Sequence, residues 1–282
     1  MIVPIIILNY NSSGDCKKCI SNLVEQKGVI LDIVIVDNCS SEVERKKLEA
    51  ILKTLTKDES YQLTYIPNNE NRGYNAGNNI GLRYAASKKY KYALIVNPDM
   101  EFPQTNYVKL MVDKMEEDDK IVVQGSDIIN NEGIHQNPMR EVGYWEELLW
   151  PFQYLKNYKS KKWYSLDYSS SYVCDKISGC CLMVRMSFVE QIGYFDESVF
   201  LYSEESILGA QVKSMNYLMY YNHAPKAIHR HIEKSKGKTK PRMRALFESR
   251  WYYLRTYSGY TGIALFFLKV SKKAQKFCTI GV

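Results

Sequence analysis

The chain has 282 residues, 45% of them hydrophobic, which is enough for a sizeable core in one large domain or two small ones and excludes a disordered chain. The formal net charge of +7 suits nucleic acid, anionic lipid or a phosphorylated substrate; with no zinc-finger spacing, helix-turn-helix pattern or aromatic RNA-binding signature beside it, nucleic acid is set aside. Seven cysteines, an odd number with Cys180 and Cys181 adjacent, argue against a disulfide framework and for a reducing compartment.

The excess positive charge lies in the second half, between residues 156 and 162 and from 229 to 255. Residues 2–8 are apolar but lack a basic segment before them and a small-residue cleavage site after them, so they read as a strand and not a signal. The late apolar run 262–268 falls far below the ~20 residues that span a bilayer. A cytoplasmic location is therefore expected.

Taken in order, residues 3–8 form a continuous apolar strand that ends on Asn9-Tyr-Asn11. Ser12-Ser-Gly-Asp15 then opens a helix on which Cys16, Cys19, Ile20 and Leu23 share one face. That spacing favours buried helix-face cysteines over a redox pair, although Cys16 and Cys19 carry the redox-motif separation. Residues 31–36 are a second strand, ending on Asp37-Asn-Cys-Ser40. Ser41 and Glu44 resemble a capping box, and Leu48, Ile51, Leu52 and Leu55 continue at helical spacing.

Residues 61–66 give a third strand, 68–81 a polar, glycine-dotted stretch, 82–89 the end of a helix and 92–96 a fourth strand. This alternation predicts a parallel, doubly wound sheet whose strands each leave Asn or Asp at the carboxyl edge, where such folds bind ligands. Val108, Met111, Val112 and Met115 mark another helix, and 121–124 a short strand. Residues 130–171 show no sustained period and are expected to be substrate-specific loops. Strands follow at 177–184 and 217–221, helices at 187–192 and 206–213, and from Met243 the chain is helical, aromatic and basic.

Two stretches carry ambiguous chemistry. Asn97-Pro98-Asp99 is either a turn or a carboxylate placed at the ligand edge. The stretch Asn71-Arg-Gly73-Tyr-Asn75-Ala-Gly77-Asn-Asn79-Ile-Gly81 is either an anion-accepting helix entry or a glycine-permitted close packing. Its glycine spacing matches neither the dinucleotide fingerprint nor the phosphate loop.

Together with Ser178-Gly179-Cys-Cys, Gly193-Tyr-Phe-Asp-Glu197 and Phe200-Leu-Tyr-Ser-Glu204-Glu205, these motifs resemble the family 2 glycosyltransferases, the rhamnosyltransferase-like branch in particular, over nearly all of residues 1–235. The resemblance implies a GT-A fold, an α/β architecture with a Rossmann-like, mostly parallel central sheet flanked by helices and a C-terminal helical segment. It divides the chain into 1–100, a nucleotide-sugar-binding half, 101–240, the acceptor-binding and catalytic half of the same domain, and 241–282, a helical segment.

It also implies inverting transfer from a nucleotide-diphosphate sugar, a dTDP- or UDP-sugar, to a saccharide or lipid-linked acceptor in surface polysaccharide synthesis. In that reading Asp37 holds the base or ribose, with Asn9, Asn11 and Asn38 in the nucleotide pocket. Asn71, Gly73, Asn75, Asn79 and Gly179 complete the donor site. Asp99 fills the second aspartate position of the family's metal motif, and Asn97 stands where the first would be, so the divalent ion, Mg2+ or Mn2+, has fewer charged ligands. His229, and next His231, could complete the metal site, with Lys234, Ser235, Lys236 and Lys238 as a phosphate-closing loop.

The family usually has Glu-Asp where this chain has Glu204-Glu205. Glu205 is expected to be the base and Glu204 its rival, while without the resemblance the pair reads as a helix cap. Residues 242–273 could lie on an anionic membrane surface, such as the inner face of the cytoplasmic membrane, or form an ordinary core or homodimer helix. A sugar nucleotidyltransferase and a non-catalytic nucleotide-sugar-binding protein are the alternative functions; the first normally needs a charged glycine-rich loop after strand one, which residues 9–14 lack.

Overall fold

The computed structural model describes residues 1–55, 59–151, 166–230 and 239–280. The first half alternates β1 (Ile2–Asn9), α1 (Ser13–Leu23), β2 (Ile30–Asn38), α2 (Glu42–Thr54), β3 (Tyr61–Asn68), α3 (Tyr74–Ser87) and β4 (Tyr92–Val96). The strands pair in parallel in the order β3, β2, β1, β4. β1, β2 and β4 are buried along nearly their whole length, as strands covered by helices on both faces must be.

The sheet becomes mixed beyond β4. β5 (Met100–Glu101), α4 (Tyr107–Glu117), β6 (Ile121–Asn130), α5 (Tyr144–Leu148), β7 (Tyr172–Val173) and β8 (Cys181–Arg185) follow, then α6 (Met186–Gln191), α7 (Glu204–Ser214) and β9 (Leu218–His229). β8 runs antiparallel to both β4 and β6, β6 is parallel to β9, and β5 and β7 add antiparallel to β9. One sheet thus continues past residue 100. It is parallel through β1–β4 and mixed afterwards, because β8 enters from the ligand edge.

Two strands depart from the sequence reading, while the glycine stretch does open a helix: α3 begins at Tyr74, and Gly77 and Gly81 sit inside it for packing, since a Cβ on either would lie 2.5 Å from a side-chain carbon of Leu8 or Ile6. The strand expected over 177–184 begins at Cys181, leaving 178–180 as a loop at the sheet edge. The strand expected over 217–221 runs on to His229, with its register shifting opposite Ser126 and Asp127.

The capping box is half made. Ser41 Oγ accepts from Glu44 N–H at 3.4 Å, but the Glu44 carboxylate turns to Ser13, accepting from its Oγ at 2.6 Å and tying α1 to α2. Lys47 and Ser13 hold that carboxyl down to about 2. Cys16 and Cys19 are buried free thiols, and burial pushes Cys16 up to about 12, which leaves it protonated and inert.

Two C-terminal helices, α8 (Lys240–Thr256) and α9 (Gly262–Ile280), pack through Tyr253, Leu254 and Leu268 onto Val199 and Ile207. Tyr252 and Tyr257 donate to Asp196 at 2.7 and 2.6 Å, and Ser249 donates to Leu201 O at 2.8 Å. The helices therefore brace the segment that leads into α7. Among the described residues, no helix is long and apolar enough to cross a membrane.

Candidate active site

Strand register builds the site. Asn9 lies opposite Asp37, and Asn38 opposite Asn68, so the last residues of β1, β2 and β3 meet at one edge. Asp37 is fully buried and accepts from Asn9 Nδ2 at 3.0 Å, from Ser40 Oγ and from Arg45 Nε at 3.3 Å. A buried carboxylate costs several kcal/mol unless donors surround it, and these three supply them.

Asn11, at φ 52°, accepts from Ser41 N–H at 2.8 Å. Asn38 donates to Asn71 Oδ1 at 3.1 Å and to Gly73 O at 3.3 Å, and accepts from Asn68 at 3.0 Å. An asparagine lattice thus ties the ends of β2 and β3 to the entry of α3.

The glycine stretch then joins that edge to the acids. Gly73 has φ 107°, and a Cβ there would lie 2.3 Å from Phe200 O, the same carbonyl that accepts from Tyr74 N–H at 2.9 Å. Tyr74 OH donates to Gly179 O. Asn75 donates to Asp196 O at 2.8 Å, and Asn79 both accepts from Phe195 N–H at 3.0 Å and donates to Phe195 O and Glu197. Asn75 and Asn79 are therefore directed at the 195–197 segment, away from the Asp37 cluster, while Asn38, Asn71 and Gly73 join it.

Gly179 and Cys180 are the hinge of the site. Asn97 N–H donates to Cys180 O at 2.8 Å, and Gly179 N–H approaches Glu205 Oε1 at 3.4 Å. Burial pushes the Cys180 thiol up to about 12, and the charges of Asp99 and Glu205 add to the rise.

Glu204 and Glu205 open α7 after Tyr202 and Ser203, both left-handed at φ 74° and 66°, a strained entry of the kind that clusters at functional sites. Burial first, then the neighbouring Glu205 charge, raises Glu204 to about 7. Tyr74, Asn75, Gly179, Glu204 and Glu205 line one cavity with Phe195 and Asp196.

On the other side of Cys180, His229 Nε2 lies 3.2 Å from Asp99 Oδ1, and His229 Nδ1 lies 2.8 Å from Gln136 Oε1. An amide oxygen only accepts, so Nδ1 carries the hydrogen and Nε2 turns toward Asp99. Two donors ~2.1 Å from one ion at right angles would stand about 3 Å apart, so the pair has the spacing and chemistry of a partial divalent-metal site. Among the described residues no cluster of three or more His, Cys, Asp or Glu side chains gathers there, so diphosphate oxygens or water would have to complete the coordination. His231 and the lysines expected to close over phosphate lie outside the described residues.

Sequence reasoning missed Gln136, which sits in the stretch without readable period. It also missed Arg250, whose guanidinium donates to Glu147 at 2.7 Å, to Glu141 at 2.6 Å and to Ser206 Oγ, beside Glu205, at 3.1 Å.

The model of the glycosyl transferase family 2 matches residues 5–193. A low-salt glycan biosynthesis hexosyltransferase of Haloferax volcanii, Agl10, is 31% identical over 207 residues, covering 72% of this chain and 59% of that protein, so the chain spans less than two thirds of the relative's length. Among solved structures, the mannosyltransferase PcManGT of Pyrobaculum calidifontis, in complex with GDP-Man and Mn2+, superposes with a TM-score of 0.64 at 15% identity, over 98% of this chain and 69% of that one. GalNAc-T7 with UDP, GalNAc and Mn2+ superposes with a TM-score of 0.63 at 12% identity, over 100% and 56%. The chain belongs to glycosyl transferase family 2, with the corresponding GT-A-like fold. Glu204, Glu205, His229 and the C-terminal helices lie beyond the matched range.

Proposed function

We propose that this glycosyltransferase is a metal-dependent hexosyltransferase that moves a sugar, with inversion, from a dTDP- or UDP-sugar to a saccharide or lipid-linked acceptor in surface glycan synthesis. The observation that carries this reading is that the 178–180 loop joins the two groups: Gly179 N–H approaches Glu205 Oε1 at 3.4 Å, and Cys180 O accepts at 2.8 Å from Asn97, two residues before the Asp99 that lies 3.2 Å from His229. Inversion requires the attacking oxygen and the leaving diphosphate to lie on opposite faces of the anomeric carbon. A base and a diphosphate-holding pair borne on different elements meet that need.

In this reading the 1–100 half holds the nucleotide, with Asp37 accepting from base or ribose and Asn9, Asn11, Asn38 and Asn71 shaping its pocket. Asn79 holds the 195–197 segment, and Asn75 forms part of the cavity wall. Glu205 takes the acceptor hydroxyl's proton as that oxygen bonds to the anomeric carbon and the carbon–diphosphate bond breaks. Glu204, held toward its protonated form by burial and the Glu205 charge, limits the negative charge beside it. Asp99 and His229 would hold a divalent cation, Mg2+ or Mn2+, which when bound supplies charge neutralisation of the departing diphosphate. Gln136 fixes the His229 ring for that contact. The free, largely buried thiols fit a reducing, cytoplasmic setting.

The test combines calorimetric donor binding with transfer assays over a panel of nucleotide sugars, with and without Mn2+. Glu205→Gln should lose about 10³-fold in kcat while binding donor normally. Asp99→Ala should lose the Mn2+-dependent part of donor affinity. If Glu204→Gln abolishes transfer and Glu205→Gln does not, the base is Glu204; if Asp99→Ala binds donor and Mn2+ as well as the parent, the metal role is wrong.

A further inference from the structure

The C-terminal helix α9 is apolar on two sides. Its inward side packs through Leu268, with Ser271 Oγ donating to Leu148 O at 2.9 Å and Lys272 paired to the buried Glu147. The other side is solvent-exposed: Ile263 (76%), Phe266 (61%), Phe267 (51%), Val270 (51%) and Phe277 (67%). At 100° per residue these five fall within a stripe of about 100°, directed away from the packed face. Five large apolar side chains on one exposed helix form the kind of patch that monomers rarely leave to water.

The charge pattern selects the occupant. α9 carries four lysines and no Asp or Glu, and Lys269 and Lys273 are exposed along one border of the stripe. Residues 240–280 contain nine Lys or Arg and one acid, Glu248, a surplus of eight in a chain whose total is +7, so this segment holds essentially all of the molecule's net positive charge. A second copy seated on the stripe would bring another acid-free α9 with it. An anionic lipid surface offers apolar depth for the phenylalanines and negative headgroups for the lysines.

We propose that the outer face of α9 docks the protein in the plane of an anionic membrane, with Phe266, Phe267 and Phe277 in the acyl boundary and Lys269 and Lys273 at the headgroups. This stands apart from the catalytic reading, since none of these residues lines the site.

The experiment is sedimentation of the purified full chain with phosphatidylglycerol-containing vesicles and with pure phosphatidylcholine vesicles, alongside light scattering for oligomeric state. Binding to the anionic vesicles should exceed binding to the neutral ones at least tenfold and weaken as salt rises. The Phe266→Ser, Phe267→Ser, Phe277→Ser variant should lose that binding while keeping the parent's circular dichroism and thermal transition; Lys269→Gln, Lys273→Gln should weaken it severalfold and reduce its salt dependence. No preference for anionic vesicles, unchanged binding by the triple serine variant, or a dimer that this variant dissociates would each overturn the proposal, the last by assigning the face to a second copy.

Discussion

The two ends of the candidate site are built by different means. The Asp37 end is a neighbourly construction: Asn9, Asp37, Asn38 and Asn68 are set opposite one another by the register of three adjacent parallel strands, and Asp37 is held by Asn9, Ser40 and Arg45. The Glu205 end is held from afar. Gly73, Gly179 and Arg250 reach it from α3, from the loop before β8 and from α8, and its entry contains two left-handed non-glycine residues. The first end is stiff and locally encoded, whereas the second stores strain that remote packing must offset.

The sharpest way to separate them is Gly73→Ala. The new Cβ meets the Phe200 carbonyl at 2.3 Å in a backbone conformation unsuited to alanine. A stability loss on the order of 3 kcal/mol is expected, with a fall in kcat larger than the rise in donor KM, because the displaced segment leads to Glu204 and Glu205. Chemical denaturation and steady-state kinetics read both. A change confined to donor KM would show that the glycine serves the nucleotide end.

Asp37→Asn attacks the other end. The amide leaves the Asn9, Ser40 and Arg45 donors without their carboxylate, at about 2 kcal/mol of stability. Donor affinity should fall roughly tenfold with kcat little changed, as measured by calorimetry and turnover. Equal losses in kcat and affinity would mean that the two ends are not separable.

The smallest effect is a pH dependence. Glu204 is raised from 4.5 to about 7, so the folded state binds its proton more tightly than the unfolded chain. Its contribution is complete below about pH 4.5 and is lost as pH rises through 7. Glu204→Gln should flatten the stability profile between those limits and gain on the order of 1–2 kcal/mol over the parent at pH 8, measured by denaturation across pH. A profile with the parent's slope would place the titration elsewhere.

How much could be read in advance follows the same division. The runs ending at Asn9, Asp37 and Asn97 were readable because a buried strand shows as mainly aliphatic sequence, broken in β2 only by Asp32, and the polar cluster after it marks the edge. The helix entry in 71–81 was readable, but its purpose was not: locally the glycines allow an anion site or a close packing, and the fold sets Gly77 and Gly81 as contact points against Leu8 and Ile6. Gln136 and Arg250 carried no local signal; they matter through His229, 93 residues away, and Ser206, 44 residues away. For the C-terminal helices the composition allowed either a packed or a lipid-facing role, and only the fold showed that α9 has an inward face and a separate exposed one.

The sequence by itself determined the parallel β1–β4 core, the polar ligand edge and the family, because these depend on residues within one or two elements of each other. The tertiary structure decided that Asp99 lies beside His229 and Glu205 beside Gly179, which way His229 turns and which face of α9 is left to solvent. Those depend on contacts between segments tens to more than a hundred residues apart, and local pattern holds no record of which distant group will fill a given space.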